Sequence, residues 1–167
     1  MLKKGFYTLI TIFILGCFSS AQGVIPVKGA TSKDWNRDSY WYHPWGESGV
    51  HKGIDIFAQK GTPVLASTSG WVIFKGQLAL GGNTIAVIGP KWRLHYYAHL
   101  DQQDVRLFNW VSKTEKIGAV GDSGNAKGKP PHLHYSILSI LPSISEITLE
   151  PEGWKRMFYM HPVRTWQ

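Results

Sequence analysis

From Ile54 onward the apolar residues fall into short β-branched or aromatic runs separated by turn-forming clusters. The runs are Ile54–Phe57, Pro63–Leu65, Gly70–Lys75, Asn83–Ile88, Trp92–Leu100, Lys116–Val120 and Leu133–Leu138. Between them lie Gly61-Thr62-Pro63, Gly81-Gly82-Asn83, Gly89-Pro90 and the stretch Gly121–Pro131. Several short strands at close spacing predict an all-β sandwich or barrel. No window of about 15 residues repeats its apolar positions at the helical period, so little helix is expected. Residues Gly23–Gly49 mix turn formers with Trp35, Tyr40, Trp41, Tyr42 and Trp45 without a period, which predicts an irregular leader wrapped onto the domain. Pro142–Gln167 reads as an extension with a short helix or turn near Glu152–Met157.

The first twenty residues follow a different rule. Lys3 and Lys4 precede an apolar run, Phe6–Phe18, interrupted by two Thr, Gly16 and Cys17. A charged start, a short apolar stretch and small residues after it are the marks of an export signal. The run is too short for a spanning helix, which needs about 18–20 apolar residues. Two processing sites stay open. Cleavage after Ser19-Ser20-Ala21 would start the mature chain at Gln22, and Ile14-Leu15-Gly16-Cys17 loosely resembles a bacterial lipobox that would anchor the chain through Cys17. Leu15 is unusual at its lipobox position, which favours plain secretion to the periplasm or cell envelope. The organisation expected is a signal at 1–21, the leader at 22–48, a core at 49–141 and the extension at 142–167.

At 167 residues the chain is one domain by length, and its single Cys excludes an intrachain disulfide framework. It carries 18 Lys+Arg against 11 Asp+Glu, a formal +7. Without Lys3 and Lys4 that becomes 16 against 11, or +5, a charge suited to an acidic partner. Export and the absence of a clustered basic run argue against a nucleic-acid partner. A monomer is assumed.

The histidines carry the candidate chemistry. In a strand, His132 and His134 project from one face, with Cα atoms roughly 7 Å apart. One of them as a metal ligand, with the other beside the ion, suits that spacing. His51 and Asp55 lie four residues apart across Gly53, which lets the chain turn sharply. Both residue types bind Zn²⁺, and with one histidine of the pair they make three protein ligands and leave a fourth position for water. In His95-Tyr96-Tyr97-Ala98-His99, strand alternation puts His95, Tyr97 and His99 on one face. His43 and His161 each precede a proline among aromatics and read as structural.

His51-Lys52-Gly53-Ile54-Asp55, Tyr97-Ala98-His99-Leu100 and His132-Leu133-His134 resemble, in order, the three motifs of the lysostaphin/LytM-type zinc metallopeptidases. Gly61-Thr62-Pro63-Val64, Gly70-Trp71-Val72, Gly82-Asn83 and Ile117-Gly118 fit the same pattern, so that the resemblance covers roughly Gly49–Leu138. It implies a compact antiparallel β fold with a metal in an open groove, and cleavage of peptidoglycan stems or cross-bridges. It also implies His51, Asp55 and His134 as zinc ligands, and His99 and His132 as catalytic histidines that do not ligate. His95, an extra histidine, is a candidate substrate contact. A relative that binds the wall or activates another hydrolase without catalysis is the alternative reading, and a peptidase for other secreted substrates is a third.

Overall fold

The computed structural model describes residues 20–166, together with Gly5, Tyr7, Thr8, Thr11, Ile14, Gly16 and Cys17. These seven are helical. Lys3, Lys4 and much of the expected signal's apolar run lie outside the described residues. Among the described residues no helix is long and apolar enough to cross a membrane.

The described residues form nine strands: β1 (Ile54–Phe57), β2 (Pro63–Leu65), β3 (Gly70–Leu78), β4 (Gly82–Ile88), β5 (Arg93–Gln103), β6 (Trp110–Val111), β7 (Lys116–Val120), β8 (His132–Ser139) and β9 (Tyr159–Met160). All ladders are antiparallel, in the order β1-β8-β5-β4-β3-β6. β7 branches from β5 and carries β2, and β9 pairs with β8. The path runs from β1 to β6 without closing, which gives the split-barrel-like, all-β fold expected of lysostaphin-like chains. The seven expected strands all form. The two missed, β6 and β9, are two residues each, too short to show a period. The turn expected near Glu152–Met157 is a 3-10 segment at Gly153–Phe158.

Alternation places one face of these strands inside. Ile54 and Ile56 of β1, Leu133, Tyr135 and Ile137 of β8, Tyr97 of β5 and Ile85 and Val87 of β4 are all fully buried in one core. Each such aliphatic side chain contributes about 1.5–3 kcal/mol on burial. The opposite face of β1, β8 and β5 is left to carry polar groups.

The leader wraps onto this core, as its composition suggests. Val27 bridges Val64, and Trp35 enters the core against Trp166, with ring centroids 5.2 Å apart. The C-terminal segment in turn holds the leader. Trp41 Nε1 donates to the Pro151 carbonyl at 3.2 Å, and Arg156 lies over the rings of Tyr40 and Trp41. Both ends of the chain therefore build one flank, and that flank borders the polar face.

Candidate metal centre

The register of β1 with β8 creates the centre. Asp55 lies opposite His134, and Phe57 opposite His132, so that the carboxylate and both imidazoles share the polar face. Gly53 brings His51 to the same place. A Cβ at Gly53 would stand 2.6 Å from the Tyr135 carbonyl oxygen and 3.0 Å from the His134 ring, so only glycine allows the chain this approach.

Three atoms converge. His51 Nε2 lies 3.0 Å from Asp55 Oδ1 and 3.1 Å from His134 Nδ1, and His134 Nδ1 lies 2.8 Å from the same oxygen. The remaining ring nitrogens are already spoken for. His51 Nδ1–H donates to the Ser39 carbonyl at 2.8 Å, which leaves Nε2 as a lone pair. The Ser136 hydroxyl donates to the Lys52 carbonyl at 2.6 Å, so it accepts from His134 Nε2–H at 3.0 Å and leaves His134 Nδ1 bare. Two imidazole lone pairs and a carboxylate oxygen thus face one another, a donor set suited to a cation with nitrogen and oxygen preferences. These three residues could hold a metal ion.

Two more histidines face the same space. His132 Nδ1–H donates to the Pro130 carbonyl at 2.8 Å, and His99 Nδ1–H to the Ser123 carbonyl at 2.9 Å. Both present Nε2 inward, with ring centroids 4.9 Å apart. His132 Nε2 lies 3.9 Å from Asp55 Oδ2, and the His99 ring is 6.0 Å from that of His134.

Burial and charge tune these groups. Burial pushes the Asp55 carboxyl up, but the His134 and His51 imidazoles set against it outweigh that and hold it well below the usual carboxylate range. Burial lowers His99 to about 4, with help from His134 and His132. Burial likewise lowers His134, opposed by Asp55. Near pH 7 His99 and His134 are therefore neutral bases.

The centre lies on the floor of a groove of ≈ 820 Å³. Trp45 of the leader stacks on the His51 ring, with centroids 4.1 Å apart and planes at 20°. Tyr96 and Tyr159 line the groove as well. Lys52, at the groove's margin, is bonded to the Ser48 carbonyl at 2.9 Å and to Glu152 at 3.1 Å.

One expectation needs correction. His95 does not face the groove. It is 1% exposed, its Nδ1 bonded to the Tyr135 hydroxyl at 2.6 Å. Burial, aided by the charge of Arg93, lowers it to about 3 and keeps it neutral. Strict alternation failed because His99 has a positive φ of 63°. The reversal at His99 changes the phase of β5. Tyr96 and Ala98, opposite Ser136 and His134, face the groove, His95 and Tyr97 face the core, and His99 rejoins the groove side. His43 and His161 lie outside the centre, His161 packing on Tyr40 at 4.6 Å.

Sequence reasoning missed Ser136, Tyr96 and the carbonyls of Ser39, Ser123 and Pro130. Ser136 had a signal, since a hydroxyl two residues after His134 shares its strand face. The carbonyls had none.

A model of peptidase family M23 matches residues 49–143. The L-Ala–D-Glu endopeptidase of Bacillus subtilis is 36% identical over 113 residues, which are 62% of this chain and 35% of that protein. The chain thus spans about a third of that relative's length. Among solved structures, the catalytic domain of the antimicrobial peptidase lysostaphin from Staphylococcus simulans superposes with a TM-score of 0.58 at 27% identity, covering 74% of this chain and 85% of that one. A zinc-containing peptidase from Vibrio cholerae matches with a TM-score of 0.54 at 25% identity, covering 71% of this chain and 36% of that one.

Proposed function

Because this chain belongs to peptidase family M23, we propose that it is an exported zinc endopeptidase that hydrolyses peptide bonds in peptidoglycan stems or cross-bridges. His51 Nε2, Asp55 Oδ1 and His134 Nδ1 would hold the ion. The observation that carries this reading is the arrangement of ring protons: both histidines spend theirs outward, and only lone pairs and a carboxylate meet at the centre. The similarity to a zinc-containing peptidase agrees with it. When bound, zinc supplies a Lewis acid for the scissile carbonyl and lowers the pKa of a water to about 7.

The chain's own groups supply the rest. His99 and His132 are the catalytic histidines, each locked in the tautomer that presents a free Nε2 to the groove. As a pair they take a proton from the attacking water and return one to the leaving amine, the work of general acid–base groups. His132 Nε2 lies 3.9 Å from Asp55 Oδ2, which sets it beside the ion's place. Tyr96 and Trp45 line the groove and orient an extended peptide across its floor. No protein nucleophile takes part.

The test combines metal content with wall digestion. One zinc per chain and release of muropeptides from purified sacculi, abolished by chelator and restored by zinc, are expected. A chain that binds no zinc overturns the reading, and a zinc-loaded chain inert on sacculi points to a different peptide substrate.

A further inference from the structure

The end of the strand path opposite β1 carries a group of exposed apolar side chains. β3 pairs with β6 so that Trp71 lies opposite Trp110, with ring centroids 5.4 Å apart. The pairing continues past β6, where Val72 N–H donates to the Asn109 carbonyl and Phe108 N–H to the Val72 carbonyl. Ile73, two residues along β3 from Trp71, and Phe108, two before Trp110, are exposed beside this pair. Trp71 and Trp110 are each 52% exposed and Phe108 is 70% exposed. Leu107, beside it at the tip of the turn, is exposed too.

Phe108 has a φ of 63°, the left-handed region where a bulky side chain is an outlier and Asn or Gly is at ease. Its ring gains no burial in return. A residue that is costly for the backbone and idle for the core is explained by a contact outside the chain.

Charge says which contact. Lys75, Arg106, Lys113 and Lys116 flank the row against Asp104 and Glu115. Asp104 is taken by Lys116, and Glu115 accepts from the Ser112 backbone N–H. Among the described residues no carboxylate pairs with Arg106 or Lys113, while Lys75 Nζ donates to the Val105 carbonyl at 2.8 Å. The other exposed apolar segment, Ile140–Trp154, holds Glu146, Glu150 and Glu152 and lacks this bias.

We propose that the Trp71–Trp110–Phe108 face is a docking surface for an anionic lipid bilayer. Tryptophans beside a protruding Leu-Phe tip suit the headgroup boundary, and the unpaired cations suit anionic headgroups. Each basic residue held near such a surface raises partitioning by about fivefold. Trp71, Trp110 and Phe108 are not among the residues that line the groove, so docking through them leaves it open. The inference does not depend on the peptidase reading.

Hydrogen exchange of the full chain tests it, with vesicles of phosphatidylcholine alone or mixed with phosphatidylglycerol. Amides of residues 106–110 should exchange more slowly on the mixed vesicles only. The double variant Leu107→Ser/Phe108→Asn should lose that protection and about tenfold in partitioning through lost apolar contact. Its Tm should match or exceed wild type, because Asn accepts the left-handed backbone, so unfolding cannot mimic the result. The N-terminal apolar run is common to both proteins, and the local protection therefore reports on this face. Muropeptide release should be the same for both. Equal protection on neutral vesicles overturns the proposal, as does protection that survives in the variant. Protection induced by concentrating the protein alone would assign the face to a second copy, and protection on sacculi to the wall polymer.

Discussion

The two histidines of the candidate metal centre are held from different parts of the molecule. His134 belongs to a strand inside the sheet, and its orienting group, Ser136, is two residues away on the same strand. His51 precedes β1, and its support comes from the flank: the Ser39 carbonyl fixes its tautomer and Trp45 covers its ring. One ligand is set by sheet register, the other by a leader that the C-terminal segment clamps in place through Pro151 and Arg156. The sheet thus supplies Asp55 and His134, and the flank aligns His51 and walls it in.

That division can be attacked in steps. The severest is Asp55→Ala, which removes the shared oxygen. Zinc content should fall to background and peptidoglycan cleavage should vanish, as read by metal analysis and muropeptide release. His132→Ala should keep its zinc but lose about 10²- to 10⁴-fold in turnover, the range for a positioned acid–base group. Normal cleavage by a zinc-loaded His132→Ala protein would refute its catalytic role. Ser136→Ala should lower zinc affinity about 10- to 100-fold, because it removes the partner that fixes the His134 tautomer. A competition titration with a chelator measures this.

The core side makes a pH prediction of its own. His95 titrates near 6.5 when unfolded but is held at about 3 in the fold, so below pH 6.5 the unfolded chain takes up a proton that the fold refuses. Stability should then fall by about 1.4 kcal/mol per pH unit down to pH 3. Denaturant titrations of chelated wild type and His95→Gln should show a shallower fall in the variant. The mildest change is on the flank. Trp45→Ala should raise KM by about 2- to 10-fold through lost apolar contact, with kcat nearly kept. A larger loss of zinc from Trp45→Ala than from Ser136→Ala would invert the comparison.

Much of this was legible in the chain. Seven strands were marked by apolar runs between turn formers, and His51, Asp55, His99, His132 and His134 stood out by spacing. The phase of β5 was not legible, because it turns on the sign of φ at one residue, His99, and histidine shows no outward mark of a left-handed backbone. His95 was misplaced for the same reason. β9 exists only because the C-terminal segment returns to β8, a tertiary event without a local period. The carbonyls that fix the tautomers were unreadable, because every residue has one.

That last fact bears on how such a chain can drift. The ring protons of His51, His99 and His132 end on the peptide oxygens of Ser39, Ser123 and Pro130, and the Ser136 hydroxyl relays that of His134 to the oxygen of Lys52. A peptide oxygen stays in place whatever side chain its residue bears. Replacements at Ser39 that leave the backbone path alone would therefore pass without changing which nitrogens meet the ion. Insertions or deletions that shift the path would not.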